Sequence, residues 1–364
     1  MKMHRNAVLV TLDYPPDHGG VARYLSQLVK ASEGKLRVIA PLDSQAADEK
    51  NVYRKKLLRK TWPCWSPLIW ICRTRGQATV VLTSHVFPVG TAAWLSKLMG
   101  GPDYAVIFHG LDIKLAKSVW KRWLLRRIAY RAYALFVNSE MTKGLLKDAA
   151  PRVRHVFVIT PGVEKVQLPS RAEARAALGL EERRPLALTV TRLVPRKGID
   201  ISLQAVANLQ RKMDFEYCIL GSGPDRERLR GLAQVTGAKV RWIEGADDAT
   251  KWRWMAAADV FLMPTREEAD DVEGFGIVYL EAALAGVPSI AGKSGGAPEA
   301  VLDKKTGVLV DPGSVVEVEA ALYDLLEHRE SAEWLGLKAK QRVMEKFQWP
   351  ERWEEIARAI DLKL

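Results

Sequence analysis

Two carboxylates, Glu273 and Glu281, are separated by seven residues around a loop that contains glycine. The loop leads into an apolar pattern that predicts a helix, with Glu273 just before the helix and Glu281 about two turns inside it. Unpaired N–H groups at a helix start bind anions such as phosphate, and a nearby carboxylate accepts hydrogen bonds from sugar hydroxyls. Glu281 lies in an otherwise apolar stretch, where an idle carboxylate is costly to bury. We interpret both carboxylates as functional; a solvated helix position is the alternative for Glu281.

Two cations lie in another predicted loop. Arg192 and Lys197 follow the apolar run Leu186–Val190, and Gly198 ends the loop. Residues after the carboxyl end of a strand in an open α/β sheet face the ligand crevice. A guanidinium fork and an ammonium point charge together suit a diphosphate. Two ordinary loop cations are the alternative.

Glycines follow two further strand patterns. Gly221 and Gly223 come after Phe215–Leu220, and Gly19 and Gly20 come after the first apolar run. Glycine lets backbone N–H groups approach a phosphate or a sugar without an intervening Cβ. The Gly-Ser-Gly turn lacks the third glycine of a dehydrogenase fingerprint. A plain strand-to-helix turn is the alternative for Gly19 and Gly20.

These loops require a framework of parallel strands. Short apolar runs alternate with longer helical patterns in both halves of the chain, and their continuous hydrophobicity is typical of strands buried on both faces. The sequence therefore predicts an α/β protein with two Rossmann-like, doubly wound parallel-sheet domains. The predicted strands are Ala7–Leu12, Leu36–Ala40, Thr79–Thr83, Tyr104–Phe108, Ala134–Val137, His155–Ile159, Leu186–Val190, Phe215–Leu220, Val240–Ile243, Val260–Met263, Pro288–Ile290 and Gly307–Val310.

The chain length and the positions of proline and glycine predict two domains. The chain has 364 residues, which is more than a single hydrophobic core usually accommodates. Proline and glycine between Thr160 and Ser170 predict a hinge. We expect one domain over residues 1–167, a second over residues 168–346, and a helix over residues 347–364 that packs back on the first.

Composition excludes several classes of protein. Hydrophobic residues make up 48% and charged residues 27%, which is typical of globular proteins rather than disordered or fibrous ones. No apolar run approaches the roughly 18–20 residues that span a bilayer. The N-terminus shows no small-residue cleavage site, so no secretory signal is expected. The three cysteines are odd in number and lack zinc spacing, which indicates a reduced, cytosolic compartment.

The chain resembles the family-4 retaining glycosyltransferases of GT-B fold. The resemblance rests on an E-x7-E segment, Asp271-Val272-Glu273-Gly274-Phe275-Gly276-Ile277-Val278-Tyr279-Leu280-Glu281, followed by Gly295-Gly296-Ala297-Pro298-Glu299. Residues 191–198 are similar to the family's G-R-x4-K-G, with Thr191 in place of the first glycine. The E-x7-E segment is most similar to that of GDP-mannose-dependent phosphatidylinositol mannosyltransferases and their bacterial relatives.

The resemblance implies two domains facing a cleft and the transfer of mannose from GDP-mannose to an acceptor hydroxyl. The acceptor would be a lipid-linked or cell-envelope glycan such as lipopolysaccharide, facing the N-terminal domain, while the C-terminal domain binds the nucleotide sugar. The implied catalytic residues are His109, Arg192, Lys197 and Glu273. The implied donor-binding residues are Gly19, Gly20, Gly221, Gly223, Gly274, Phe275, Gly276, Ile277 and Glu281.

The resemblance also implies a role for each side chain. Arg192 and Lys197 stabilise the leaving diphosphate, Glu281 binds the ribose, and Glu273 binds the O3/O4 side of the sugar. His109 would hydrogen-bond a sugar hydroxyl, although a histidine at a strand end is by itself more often structural. In the family's account the acceptor attacks from the front face, the anomeric configuration is retained, and the departing phosphate takes the acceptor proton.

No cofactor and no metal are expected. Asp270 and Asp271 are adjacent rather than spaced as D-x-D, and no cluster of His and Cys occurs. The alternatives are a transferase that uses UDP-glucose or UDP-N-acetylglucosamine and, further away, a nucleotide-sugar epimerase. A dehydrogenase would need a fuller glycine fingerprint, and a non-catalytic binding scaffold would be expected to have lost a member of the site.

Charge is unevenly distributed along the chain. Residues 1–165 carry 27 Lys and Arg against 11 Asp and Glu, a net charge of +16, and the remainder carries −4. Two stretches, Val52–Trp70 and Lys114–Arg131, combine basic residues with tryptophans such as Trp62, Trp65 and Trp70, which favours an anionic membrane surface. The first stretch is the better candidate, because the second is expected to be partly core-facing. No nucleic-acid-binding motif is recognisable, and we expect a cytoplasmic protein peripheral to the inner face of the cell membrane.

Overall fold

The computed structural model describes residues 6–17, 19–43, 49–61, 63–73, 80–269 and 271–362. The chain divides into two compact units, with the second inserted between two segments of the first. The first unit comprises Met1–Glu164 and Gln348–Leu364, and the second comprises Lys165–Phe347. Residues 1–5, Trp62, Thr79 and Asp270, which several predictions concern, lie outside the described residues.

The described part of the first unit is built on seven strands. They are β1 (Ala7–Val10), β2 (Leu36–Pro41), β3 (Val52–Lys55), β4 (Val80–Thr83), β5 (Asp103–Phe108), β6 (Ala134–Val137) and β7 (Val156–Val158). All neighbours pair in parallel, in the order β3-β2-β1-β4-β5-β6-β7.

Helices cover this sheet. Numbered along the whole chain, those of the first unit are α1 (Gly20–Ala31), α2 (Ser66–Cys72), α3 (Thr91–Leu98), α4 (Leu111–Lys114), α5 (Val119–Arg131), α6 (Glu140–Ala149) and α15 (Trp349–Ala359). Helix α15 packs against α1 inside this unit. Its Trp349 ring meets the Tyr24 ring edge to face, with 5.1 Å between centroids.

The described part of the second unit has six strands, again all parallel. They are β8 (Leu186–Val190), β9 (Glu216–Leu220), β10 (Arg241–Ile243), β11 (Val260–Met263), β12 (Ser289–Gly292) and β13 (Gly307–Val310), in the order β10-β9-β8-β11-β12-β13. Its helices are α7 (Arg171–Ala177), α8 (Ile199–Leu209), α9 (Arg226–Thr236), α10 (Asp248–Ala257), α11 (Ile277–Leu284), α12 (Ala297–Ala300), α13 (Val315–Glu327) and α14 (Arg329–Lys346).

Continuous apolar strands explain both cores. Strands β1, β4, β6 and β11 are buried along their whole length, as expected for a parallel sheet covered on both faces. The two parallel sheets confirm the predicted α/β architecture. Strand β3 was not predicted, because this edge strand carries exposed Tyr53 and Lys55 and its sequence is polar.

Strand order determines which loops meet. The order reverses between β1 and β4 in the first unit, and between β8 and β11 in the second. Loops that follow the two strands at such a reversal form the ligand crevice of doubly wound sheets. In the second unit these are the loop with Arg192 and Lys197 and the loop with Glu273. In the first unit they include the glycine loop that precedes α1.

The second basic stretch, in helix α5, divides between the core and the surface of the first unit. Helix α5 buries Leu125, Ile128 and Ala129 and exposes Trp120 and Trp123, at 61% and 51%. Part of this helix therefore faces the core, as expected, while Trp120 and Trp123 near its N-terminus lie at the surface. No helix among the described residues is long and apolar enough to cross a membrane.

Replacing Gly198 by alanine is expected to destabilise the second unit. The backbone φ is +66°, and an added Cβ would lie 2.0 Å from the carbonyl oxygen of Pro264. Together these effects cost at least about 2 kcal/mol. Gly231→Ala is the matched control, because a Cβ there meets nothing within 4 Å inside α9 and helical Gly→Ala stabilises by about 0.5–1 kcal/mol. Urea unfolding should give shifts of opposite sign; equal midpoints would contradict the argument.

Candidate active site

The turn that carries Lys197 is fixed by the loop after β11. Pro195–Lys197 forms one turn of 3₁₀ helix after β8, and Gly198 then starts α8 in a left-handed conformation. The N–H of Arg266 donates to the carbonyl oxygen of Arg196 at 2.8 Å. The two loops at the reversal of strand order are therefore joined through their backbones.

A cluster of two cations and two carboxylates joins the same loops through side chains. Lys197 Nζ and Arg196 Nη1 both donate to Glu273 Oε2 at 2.5 Å. Arg196 Nε donates to Asp271 Oδ2 at 2.7 Å. Glu273 Oε1 accepts no hydrogen bond from the residues that the structure describes. One oxygen of this carboxylate is thus neutralised by protein cations, and the other is available to a ligand.

The charge state of Glu273 follows from this cluster. Burial by itself raises the pKa of the carboxyl, but the charges of Lys197 and Arg196 and their hydrogen bonds outweigh it and lower the pKa to about 2. Glu273 is therefore a carboxylate at neutral pH, suited to accepting a hydroxyl proton in a hydrogen bond. It is not suited to donating a proton.

Helix α11 begins directly beside this carboxylate. Gly276 precedes it with φ of +91°, and the helix starts at Ile277. The N–H groups of Gly274, Phe275 and Gly276 have no hydrogen-bond acceptor within the described part of the chain. Unpaired amides at a helix start are groups that can bind an anion. Glu281 lies just over one turn into α11, not two as expected, because the helix begins later than the apolar pattern suggested.

Glu281 belongs to a separate ion pair that the sequence did not reveal. Its side chain is buried in α11, and Lys251 Nζ, from α10, donates to its Oε1 at 3.0 Å. Lys251 also lies 3.3 Å from Asp248 and 4.5 Å from the centroid of the Trp252 ring. Because an unpaired carboxylate is costly to bury, the burial of Glu281 predicts that a cation pairs with it. Only the fold identifies Lys251 as that cation.

The remaining predicted residues of the second unit differ in exposure. Arg192 is exposed and forms no ion pair with the described residues, so its guanidinium is available to a ligand. Gly221 and Gly223 pack against the loop that carries it. A Cβ on them would lie 1.9 Å from Thr191 O and 2.3 Å from Leu193 O, respectively. These glycines therefore have a packing role that positions Arg192, besides any contact with a ligand.

His109 directly follows β5 in the first unit and lies among aromatic rings. Its ring centroid is 5.4 Å from that of Tyr24, in an edge contact, and 5.9 Å from that of His85. Burial, together with the nearby His85, lowers the pKa of His109 to about 3, and Asp13 opposes this shift only in part. Its Nε2 is buried and has no hydrogen-bond partner among the described residues. The imidazole is therefore neutral at physiological pH and has an unused polar atom.

Two residues next to His109 were missed by the sequence analysis. His85 Nε2 lies 3.1 Å from Asp13 Oδ2, and His85 Nδ1 lies 2.8 Å from Ser84 Oγ. The hydrogen bond from His85 lowers the pKa of Asp13. Both residues follow strands at the reversal of strand order, β1 and β4, and that position is the signal that could have identified them.

Gly19 and Gly20 are not required by packing. A Cβ on either would meet no atom within 4 Å, and neither has a positive φ. Helix α1 starts at Gly20 without a side-chain cap, so its first N–H groups are open to a ligand. No group of three or more His, Cys, Asp and Glu in the described residues could hold a metal ion.

Solved structures define the class of protein. Sucrose-phosphate synthase from Thermosynechococcus elongatus superposes with a TM-score of 0.83 at 20% identity, over 97% of this chain and 98% of that one. The Anabaena protein HepE in complex with UDP and glucose gives a TM-score of 0.80 at 19% identity, over 97% and 99%. The two parallel-sheet units therefore have the GT-B glycosyltransferase fold.

Sequence comparisons then define the family. The family model "Glycosyltransferase Family 4" matches residues 18–166, and "Glycosyl transferases group 1" matches residues 170–342. A protein of Mycolicibacterium smegmatis named GDP-mannose-dependent alpha-(1-6)-phosphatidylinositol monomannoside mannosyltransferase is 33% identical over 97% of both chains. A protein of Corynebacterium glutamicum named GDP-mannose-dependent monoacylated alpha-(1-6)-phosphatidylinositol monomannoside mannosyltransferase is 30% identical over 96% of both chains. The chain belongs to the family-4 glycosyltransferases and is a glycosyltransferase.

Replacing Glu273 by glutamine is expected to destabilise the second unit in a pH-dependent way. At neutral pH the change leaves buried Lys197 and half-buried Arg196 without their shared carboxylate, at a cost of roughly 3 kcal/mol. The pKa of Glu273 is lowered from 4.5 to about 2. Its stabilisation is therefore complete above pH 4.5 and is lost as the pH falls from 4.5 towards 2. Unfolding curves of both proteins at pH 7, 5, 4 and 3 measure this difference.

Glu268→Gln is the control for this measurement. Glu268 pairs with Arg266 at 2.7 Å, but its side chain is 40% exposed, so its loss should cost less than about 1 kcal/mol. A Glu273→Gln penalty that stays constant from pH 7 to pH 3 would contradict the assigned charge state.

Proposed function

We propose that the protein transfers mannose from GDP-mannose, with retention of anomeric configuration, to a hydroxyl of a lipid-linked acceptor such as a phosphatidylinositol mannoside. The observation that carries the proposal is Glu273, which is held on one oxygen by two cations beside the free amides of Gly274–Gly276. Relatives of at least 30% identity whose names specify GDP-mannose and phosphatidylinositol mannosides support the choice of donor and acceptor.

The donor is proposed to bind the second unit. Glu281, fixed by Lys251, accepts hydrogen bonds from the ribose hydroxyls, and Gly221 and Gly223 support the nucleotide. Glu273 Oε1 accepts hydrogen bonds from the O3/O4 side of the sugar, because Oε2 is already occupied. Ile277 and the amides of Gly274–Gly276 contact the donor at the start of α11. The predicted contacts of His109, Gly19 and Gly20 with the donor belong to the same proposal.

The protein accelerates the breaking of the bond between the sugar and the diphosphate, during which negative charge develops on the diphosphate. The acceptor oxygen forms a bond to the anomeric carbon as the bond from that carbon to the β-phosphate oxygen breaks. The departing phosphate takes the acceptor proton, so atoms and charge balance without a protein base. Arg192 and Lys197 stabilise the growing negative charge, and preorganised cations of this kind supply several kcal/mol.

The same cations make a metal ion unnecessary in this proposal. A guanidinium and an ammonium give two positive charges at the diphosphate, as one divalent ion would. We therefore propose metal-independent transfer, with GDP-mannose as a substrate and no cofactor.

A transfer assay with GDP-mannose and phosphatidylinositol monomannoside tests the function. Lys197→Ala should lower the rate by roughly 10²–10³-fold, because it removes a contact that strengthens in the transition state. Lys212→Ala is the control, since that side chain is 66% exposed and, within the described part of the chain, pairs with Glu319 alone. NMR of the product should show the α-anomer, and EDTA should leave the rate unchanged.

Several outcomes would contradict this proposal. Lys197→Ala kinetics within threefold of wild type would remove the role of the diphosphate contact. A rate abolished by EDTA and restored by Mg²⁺ would overturn metal independence. A thermal shift with UDP but not with GDP would overturn the mannose donor, because a donor at about 100 times its Kd should stabilise by roughly 2.7 kcal/mol.

We further propose that the first unit docks on anionic membranes through the layer formed by α2, α3 and α5. These helices pack side by side, and the layer exposes Trp70, Trp120 and Trp123. Lys121 and Arg127 lie over the two tryptophans of α5, at 6.0 and 5.3 Å from the ring centroids. Tryptophan and basic side chains together favour the interface of an anionic bilayer.

The basic residues between Arg54 and Arg59, at the end of β3 and just after it, contribute to this layer, with the exception of Arg54. A cavity of about 620 Å³ beside Trp70 is lined by four cations, Arg54, Lys55, Lys56 and Arg59, and by no carboxylate. Arg54 donates to the carbonyl oxygen of Pro15 at 2.5 Å and lies over the Tyr14 ring, so it serves the glycine loop. Lys55, Lys56 and Arg59 are the cations that we assign to the membrane.

Liposome co-sedimentation tests the docking layer. Binding should require anionic lipid and weaken with salt. Lys55→Gln with Lys56→Gln should weaken it roughly 30-fold, at about 1 kcal/mol for each charge. Trp120→Ser with Trp123→Ser should also weaken it. The control is Trp334→Ser with Lys338→Gln, an exposed pair of the same kind on α14. Equal binding to neutral vesicles, or equal loss in the control, would overturn the assignment.

A further inference from the structure

The ammonium group of Lys197 has two partners to serve, Glu273 in the structure and the donor diphosphate in the proposed function. It donates to Glu273 Oε2 at 2.5 Å, and the proposed function requires the same ammonium at the donor diphosphate. The Lys197 side chain is only 9% exposed and that of Glu273 12%. An unpaired carboxylate at this depth is costly, so Lys197 alone could not turn towards a phosphate without leaving Glu273 uncompensated.

Arg196 resolves this conflict by its geometry. Its guanidinium spans two carboxylates, with Nη1 on Glu273 Oε2 at 2.5 Å and Nε on Asp271 Oδ2 at 2.7 Å. Its backbone oxygen accepts the N–H of Arg266. A planar fork held at two points, on a backbone that is itself hydrogen-bonded, has little freedom to leave, whereas an ammonium on a flexible stem can rotate.

We propose that Arg196 is a positioning residue that keeps Glu273 paired and in place while Lys197 turns its ammonium to the β-phosphate of the donor. The proposal rests on the proposed function, since it requires a diphosphate contact at Lys197. Two adjacent cations on one carboxylate oxygen thus have different tasks: Arg196 is the permanent partner of Glu273, and Lys197 is the exchangeable one.

Charge balance supports this division. Without a donor, the charges of Arg196 and Lys197 equal those of Asp271 and Glu273. When a diphosphate arrives, the pairs of Arg196 remain closed and only the contact of Lys197 is exchanged. Asp271 is needed in this scheme, because it fixes the second arm of the guanidinium.

If Arg196 had a purely structural role, its removal would change ligand affinities in a different way. If Arg196 only held the loop after β11, its removal would weaken every ligand of the second unit to a similar extent. If it frees Lys197, its removal weakens only ligands that carry a β-phosphate. A comparison of a nucleoside diphosphate with its monophosphate separates the two roles.

The experiment is isothermal titration of the full chain with GDP and GMP, and with UDP and UMP. Wild type should bind the diphosphate of its preferred base at least tenfold more tightly than the monophosphate. In Arg196→Gln this preference should fall to within about threefold, with the monophosphate affinity within twofold of wild type. Arg196→Lys should recover part of the preference, and Asp271→Asn should lose part of it.

A double substitution makes the test sharper. Lys197→Ala should also abolish the preference for the diphosphate, and Lys197→Ala with Arg196→Gln should lose no more than Lys197→Ala alone, because both act on one contact. Thermal melts of each variant check folding, and Arg196→Lys keeps the test open if Arg196→Gln does not fold.

The outcomes distinguish this inference from the proposed function. Equal weakening of diphosphate and monophosphate in Arg196→Gln, or additive losses in the double variant, would overturn the inference alone. A full diphosphate preference in Arg196→Gln would do the same. A wild-type protein without any preference for a diphosphate would overturn the Lys197 contact, and this inference with it.

Discussion

The ion pairs on Glu273 Oε2 are the constraint on which the rest of the second unit depends. They close only if the loops after β8 and β11 lie side by side, and the reversal of strand order between these strands brings that about. Breaking them would leave charges buried without partners, which is far more costly than losing an exposed pair. The sheet topology, the loop geometry and the charge state of the site therefore depend on one another.

The sequence predicted what depends on local pattern and missed what depends on distant contacts. Strands such as Val260–Met263 were predictable, because continuous apolar runs have few alternatives. Lys251 and Arg196 were not, since their carboxylate partners lie 30 and 77 positions further along the chain. A pattern shows that a buried carboxylate needs a cation, but only the backbone path selects one. In the same way, turn geometry buries Lys197 and exposes Arg192.

The two units present different kinds of site. In the second, cations and carboxylates already neutralise one another, so the described arrangement is electrostatically closed apart from Glu273 Oε1 and Arg192. In the first, His109 Nε2 is buried without a partner among the described residues, and Gly19 and Gly20 leave open space. Buried polar atoms are normally satisfied in folded proteins. The first unit therefore has the character of a site that a bound molecule completes.

The insertion of one unit into the other has a consequence for biosynthesis. The first unit needs α15, whose Trp349 packs on Tyr24, and Tyr24 in turn contacts His109. A ribosome makes the chain from one end, so residues 1–164 emerge long before this helix exists. The intervening 165–347 segment can acquire its own core while the earlier segment waits for its last layer. The contact of Trp349 with Tyr24, one ring away from His109, is thus among the last to form on a nascent chain.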